Sequence, residues 1–222
     1  MKLLLVYGTG EGQTEKISRF MAEHLAGRGH QTRLVNAAEP GPASDPRDFD
    51  FVVIAASLHA GRYQSALVDY VKAHHAAIDA RPNSFVSVSL AAASDDRKDV
   101  TGLNRCVIRF ERDSGWKPRR IHHVAGAFRY TAYGLLKRWA MRYIAYRKGG
   151  PTDTSRDHEL TNWDDLTCFA DSLVTSLANA PPQGNACKAT ALAAIPTTRL
   201  DCRRAASSST RHISRTGGAA VP

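Results

Sequence analysis

Lys2-Leu-Leu-Leu-Val-Tyr-Gly-Thr-Gly-Glu-Gly-Gln-Thr14 is the stretch that decides the architecture. Its first half is a short, continuous apolar run closed by glycines, the pattern of a strand buried on both faces of a parallel sheet. Its second half is a turn rich in glycine and hydroxyls. After it, Ile17, Phe20, Met21 and Leu25 recur at helical spacing until Gly27 and Gly29 stop the pattern. This is a βα unit, and working outward the alternation repeats. Strands are expected over 32–35, 51–56, 85–90 and 121–126, helices over 65–78, 100–113 and 163–177, and a loop rich in Pro and Gly over 37–48. Alternation of this kind predicts an α/β fold with a doubly wound, five-stranded parallel sheet covered on both faces.

The turn Gly8-Thr-Gly-Glu-Gly-Gln-Thr14 lies between the first strand and its helix, where glycines let the backbone approach a ligand and the helix amides face an anion. The nucleoside-triphosphate loop needs a lysine that is missing here. The dinucleotide fingerprint fails as well, because Gln13 stands at its last glycine and Asn36 replaces the acid ending the second strand. What remains is a hydroxyl-rich loop, with Thr9 and Thr14 suited to one phosphate monoester. In a doubly wound sheet the ligand lies beyond the carboxyl ends of the strands. Strands three and four end there in Ala56-Ser-Leu-His-Ala-Gly-Arg-Tyr63 and Ser89-Leu-Ala-Ala-Ala93, whose small residues and free amides suit a flat ring. The expected cofactor contacts are Thr9, Gly10, Glu11, Gly12, Gln13 and Thr14 for the phosphate, then Ser57, Leu58, His59, Gly61, Ser89, Leu90, Ala91 and Ala92 for the ring.

The 222 residues are 43% hydrophobic and 23% charged, which excludes collagen-like, wholly disordered and disulfide-scaffold proteins. No apolar run approaches the roughly 20 residues that span a bilayer, and the chain reads as cytosolic. Cys106, Cys168, Cys187 and Cys202 form no paired motif, and the adjacent histidines His74-His75 and His122-His123 diverge, so no metal site is expected. The net charge of +9 is unevenly spread: residues 181–222 carry six cations and one acid. Lacking periodicity, that tail reads as disordered, beyond a folded unit over 1–180. Residues 115–150 hold nine cations and no acid. Within them an excursion over 126–150 carries a helical stripe of Leu135, Leu136, Trp139, Tyr143 and Ile144, and long excursions of this kind are usually functional. Such a basic, aromatic segment suits an anionic membrane face. Nucleic-acid binding is not expected, because no helix-turn-helix, zinc or aromatic RNA motif accompanies the charge.

With these residues in view the chain resembles the flavodoxin superfamily and, more narrowly, the menaquinone-dependent protoporphyrinogen IX dehydrogenase family. The resemblance is carried by Thr9 to Thr14, by Ala55 to Tyr63, by Ser84-Phe-Val-Ser-Val-Ser-Leu90, and most specifically by Gly126-Ala-Phe-Arg-Tyr130, Gly149-Gly-Pro-Thr-Asp-Thr154 and Thr161-Asn-Trp163. It covers about residues 1–177. Departures are Thr131-Ala-Tyr-Gly134 at the start of the excursion and the tail. The resemblance implies a flavodoxin-like fold that binds FMN, oxidises protoporphyrinogen IX and passes electrons to menaquinone or another quinone. It also implies a cytoplasmic protein held peripherally on the inner face of the cell membrane.

Within that implied chemistry, Arg129, Lys137, Arg138 and Arg142 are candidates for substrate carboxylates or anionic lipid. Tyr130, Tyr133 and Trp139 could face the macrocycle or pack the excursion onto the sheet. His59 and Arg62 are the candidate catalytic residues, by their place in the loop after strand three. A flavodoxin-type electron carrier and an FMN-dependent quinone reductase using nicotinamide are the alternative functions.

Overall fold

The computed structural model describes residues 1–39, 41, 45–94, 96–132 and 153–178. Lys137, Arg138, Trp139 and Arg142 of the excursion and the tail over 181–222 lie outside the described residues. Five parallel strands, β1 (Lys2–Gly8), β2 (Gln31–Asn36), β3 (Phe51–Ser57), β4 (Asn83–Ser89) and β5 (Ile121–Ala125), lie in the order β2-β1-β3-β4-β5. Leu3 pairs with Thr32 on one side and Phe51 on the other, so β1 is central and the strand order reverses beside it.

Each strand sends alternate residues to opposite faces. Leu3, Leu5 and Tyr7 of β1, with Val53, Val86 and Val124, pack on α1 (Gln13–Gly27) and α4 (Trp163–Ala178) through Ile17, Met21, Leu166 and Leu173. Leu4, Val6, Val52, Ile54 and Phe85 pack on α2 (Ser65–Asp79) and α3 (Arg97–Ser114) through Leu67, Val71, Val107 and Phe110. Leu3 to Val6 are all within 1% of complete burial, as the unbroken apolar run requires.

The expected elements are present, with shifted edges that have local causes. α3 begins at Arg97, three residues before the expected start, because the Asp96 side chain accepts a hydrogen bond from Lys98 N–H and caps it. β4 ends at Ser89, before the expected Leu90, because the Ser89 hydroxyl accepts from Ala92 N–H at 3.2 Å and turns Leu90–Ala93 into a 3₁₀ helix. β5 stops at Ala125, and the chain then forms a small antiparallel ribbon, β6 (Ala127–Phe128) against β7 (His158–Glu159), which alternation did not reveal.

One aromatic cluster supports the second ligand loop from beneath. Phe85 and Phe110 stack at 4.7 Å, Tyr63 meets both edge-on at 5.2 Å, and Trp116 closes the group at 6.1 Å from each. Tyr63 shares a 2.8 Å hydrogen bond with Ser87, and burial pushes its phenol up to about 12. Phe110→Ala is expected to cost about 3–5 kcal/mol in urea unfolding. A loss below about 1 kcal/mol would show that the cluster does not hold α3 to the sheet.

Candidate functional site

Three loops meet at the carboxyl ends of β1, β3 and β4, on the side of the sheet where the strand order reverses. The first is the turn between β1 and α1. Gly12 takes φ +87°, a conformation that only glycine adopts without strain, and its N–H donates to Thr9 Oγ1 at 2.8 Å. This folds the loop over the start of α1. Thr14 in the first turn of α1 is fully buried, and its hydroxyl has no hydrogen-bond partner among the described residues. A buried hydroxyl without a partner costs stability. Here it lies beside helix amides that attract anions, so a phosphate at this loop would satisfy it.

The second loop follows β3. His59 and Arg62 exchange backbone hydrogen bonds at 2.9 and 3.0 Å across a two-residue turn in which Ala60 and Gly61 both have positive φ. The turn carries His59 over the first loop: a Cβ placed on Gly10 would stand 2.9 Å from His59 Nε2. A side chain at position 10 would therefore displace the exposed His59 ring from the first loop. Leu58 N–H donates to Val88 O, and the Gln64 amide donates to the Ser57 hydroxyl, fixing the base of the loop. The third loop, Leu90–Ala93, rests on Phe128 and Tyr130, which stack at 5.4 Å and 10° with Leu90 packed against them.

The expected cofactor residues are therefore brought to one edge of the sheet in three loops. Tyr130 lies fully buried under the third of them. Arg129 belongs to the first loop: it donates to Glu11 O at 3.0 Å and to Asp157 at 3.0 Å. The β6–β7 ribbon is fastened to the same place. Gln13 donates to Glu159 at 2.6 Å and to Thr161 at 2.9 Å, and Lys16 reaches Glu159 at 2.9 Å. The residues of this clasp that sequence reading missed are Lys16, Asp157 and Glu159. Their signal was faint: the nearby Thr161-Asn-Trp163 motif marked the segment, but nothing in the spacing paired residues about 145 positions apart.

Partial burial pushes the Glu159 carboxyl up, but hydrogen bonds from Gln13 and Lys16 and the lysine charge outweigh it and hold the group below the ordinary carboxylate range. Asp157 behaves alike: burial raises it, while the Thr131 backbone and hydroxyl and the Arg129 charge bring it down overall.

Comparison with known proteins follows the same lines. The family described as "Flavodoxin domain" matches residues 4–155. A protein of Escherichia coli (strain K12) named protoporphyrinogen IX dehydrogenase (quinone) is 33% identical over 172 residues, 77% of this chain and 93% of that protein. One of Leishmania major with the same name is 30% identical over 185 residues, 83% of this chain and 80% of that one. Among solved structures, a short-chain flavodoxin associated with a bacterial microcompartment superposes with a TM-score of 0.48 at 13% identity, covering 79% of this chain and 98% of that one.

Two outcomes are expected from this geometry. If the loop takes a flavin phosphate, Thr14→Val should weaken flavin binding about tenfold to a hundredfold, the worth of a hydrogen bond to a charged group, without lowering the melting temperature of the flavin-free protein. Unchanged affinity in a titration would remove Thr14 from the site. The clasp carboxylates have lowered pKa values, so their stabilisation is complete above about pH 4.5 and is lost as the pH falls through the lowered values. Asp157→Asn/Glu159→Gln should therefore lose less melting temperature than the parent between about pH 7 and about pH 3, and an equal loss would contradict the assignment.

Proposed function

The chain belongs to the flavodoxin-domain family that includes the quinone-dependent protoporphyrinogen IX dehydrogenases, and from that membership we propose that it oxidises protoporphyrinogen IX to protoporphyrin IX. The electrons go to a membrane quinone, menaquinone or another, and FMN is the group that carries them. The observation that carries the reading is the identity of about one third extending over nearly the whole length of a protein of that name. The net reaction removes hydrogen from the tetrapyrrole in three two-electron steps and reduces one quinone in each. When bound, FMN supplies a ring that accepts electrons from one partner and yields them to the other.

The residues present fit such a group. The buried Thr14 hydroxyl, Thr9 and the turn Gly10 to Gln13 would hold the phosphate. Ser57, Leu58, His59 and Gly61 of the second loop and Ser89, Leu90, Ala91 and Ala92 of the third would hold the ring. Small side chains in the third loop let the ring lie against backbone, and the loop's seat on Phe128 and Tyr130 keeps that wall rigid. His59 Nε2, at the lip between the first two loops, is the candidate proton carrier, and Arg62 stands beside it. Arg129 secures the phosphate loop, while Lys137, Arg138 and Arg142 are the cations assigned to the propionates, with Trp139 offering a flat apolar face. Residues 1–180 form the FMN-binding unit in this reading, held peripherally at the cytoplasmic face of an anionic membrane.

An anaerobic titration tests the reading: the FMN-loaded protein is mixed with protoporphyrinogen IX while flavin absorbance and porphyrin fluorescence are followed, and a menaquinone analogue is then added. Bleaching with porphyrin formation, reversed by quinone, is expected. A flavin that ignores the porphyrinogen but is bleached by reduced nicotinamide would replace the proposal with a quinone reductase, and one that answers to neither would replace it with an electron carrier.

A further inference from the structure

α3 buries Leu103, Val107, Phe110 and Ser114, which at 3.6 residues per turn fall on one narrow stripe. The opposite face is fully exposed and carries Arg97, Lys98, Arg105, Arg109 and Arg112. By helical spacing no acid falls among them, since Asp99, Glu111 and Asp113 lie toward the flanks. Elsewhere on the exposed surface Arg19 pairs with Glu15, Arg28 with Asp171 and Arg47 with Asp45, while Arg62 and Arg119 have no carboxylate partner among the described residues. On this face only Arg112 has one, Asp113 at 2.8 Å, and the other four cations have no ion pair among the described residues.

At the border of the cationic face stands Ile108, 63% exposed, and Val100, 45% exposed, lies between it and the buried stripe. A face meant only for solvent would gain from carboxylates among its cations, and no helix-turn-helix, zinc or aromatic RNA motif accompanies the charge as in nucleic-acid readers. A bilayer of anionic lipid uses both features, because headgroups attract the cations and the boundary with the acyl chains accepts the apolar side chains. The face is also well placed. α3 starts just after the third ligand loop, and Cys106 on its flank has Sγ 4.0 Å from where a Cβ on Gly61 would lie, so the helix runs alongside the second loop.

We propose that this exposed face of α3 is the surface by which the protein docks on anionic lipid headgroups. The proposal rests on the reading above that the acceptor is a membrane quinone, and it assigns the contact to a regular helix of the sheet domain, independently of the excursion and the tail. Docked along α3, the protein presents the mouth formed by the second and third loops beside the lipid, where a lipophilic quinone is dissolved.

The test is co-sedimentation of the full-length, FMN-loaded chain with vesicles of phosphatidylcholine alone and of phosphatidylcholine mixed with phosphatidylglycerol. Binding only to the mixed vesicles, falling as salt is raised, is expected. Arg105→Gln/Arg109→Gln should weaken it at least about tenfold, and Ile108→Ser a further few-fold, with circular dichroism and the bound-flavin spectrum unchanged. Equal sedimentation of the double variant and the parent would overturn the proposal in favour of the excursion or tail. Equal binding to neutral vesicles, or a shift of duplex DNA with no vesicle binding, would overturn it as well. Oxidation of protoporphyrinogen IX with a water-soluble quinone, measured without lipid, keeps the two readings apart. The double variant should retain that activity. A parent that lacks it yet sediments through α3 would lose the proposed function and keep the docking surface.

Discussion

A strand buried on both faces leaves no room along its length for polar chemistry, and the rest of this molecule follows from that constraint. β1 is lined with side chains that contact two separate layers of helices, so whatever polar groups its neighbourhood supplies must appear at its ends. At its carboxyl end the chain has to leave the sheet, turn sharply and start a helix. The backbone amides exposed by that turn are the strongest polar feature available. The second and third loops come to the same place because β3 and β4 run parallel to β1 and end at the same edge. The candidate site is thus a by-product of how the core is filled, to which Thr9, Gly12 and Thr14 add a specific shape.

How much of this could be read from the sequence depended on the range of the interactions involved. The apolar run at Leu3 to Val6, the helical spacing of Ile17 and Met21, and the glycines at 8, 10 and 12 are local signals, and they led to the observed sheet and to the turn between β1 and α1. Caps are local too, yet Asp96 and Ser89 shifted element edges because a single side-chain hydrogen bond outweighs weak propensity at a terminus. The clasp of Gln13 and Lys16 on Glu159 joins segments that are remote in the chain, and no periodicity encodes such pairing. Arg129 shows the same limit. Its charge and position suggested a donor to an anionic substrate, but nothing in its spacing announced that its partners would include the Glu11 carbonyl of the turn after β1 and the Asp157 carboxylate.

Charge in this protein has two distinct uses. Around the site, carboxylates and cations are matched closely enough to hold Asp157 and Glu159 ionised despite partial burial. On α3 four of the five cations of the exposed face stand without an ion pair among the described residues, on a regular scaffold whose buried side is fixed by Phe110 and Val107. The first arrangement fixes geometry and the second creates a field, so their responses to salt differ: close pairs are screened weakly, and an open cationic face is screened strongly.

The bond from Arg129 to Glu11 O makes one object of two things that look separate, the cradle at the start of α1 and the segment leading out of β6. Thermodynamic linkage then sets a condition on both. If filling the cradle steadies the position of Arg129 and so favours one arrangement of the segment beyond it, a molecule that prefers that arrangement must tighten the hold of the cradle by the same factor. Occupancy of the cradle and the position of Arg129 would in that sense be a single equilibrium observed from two ends.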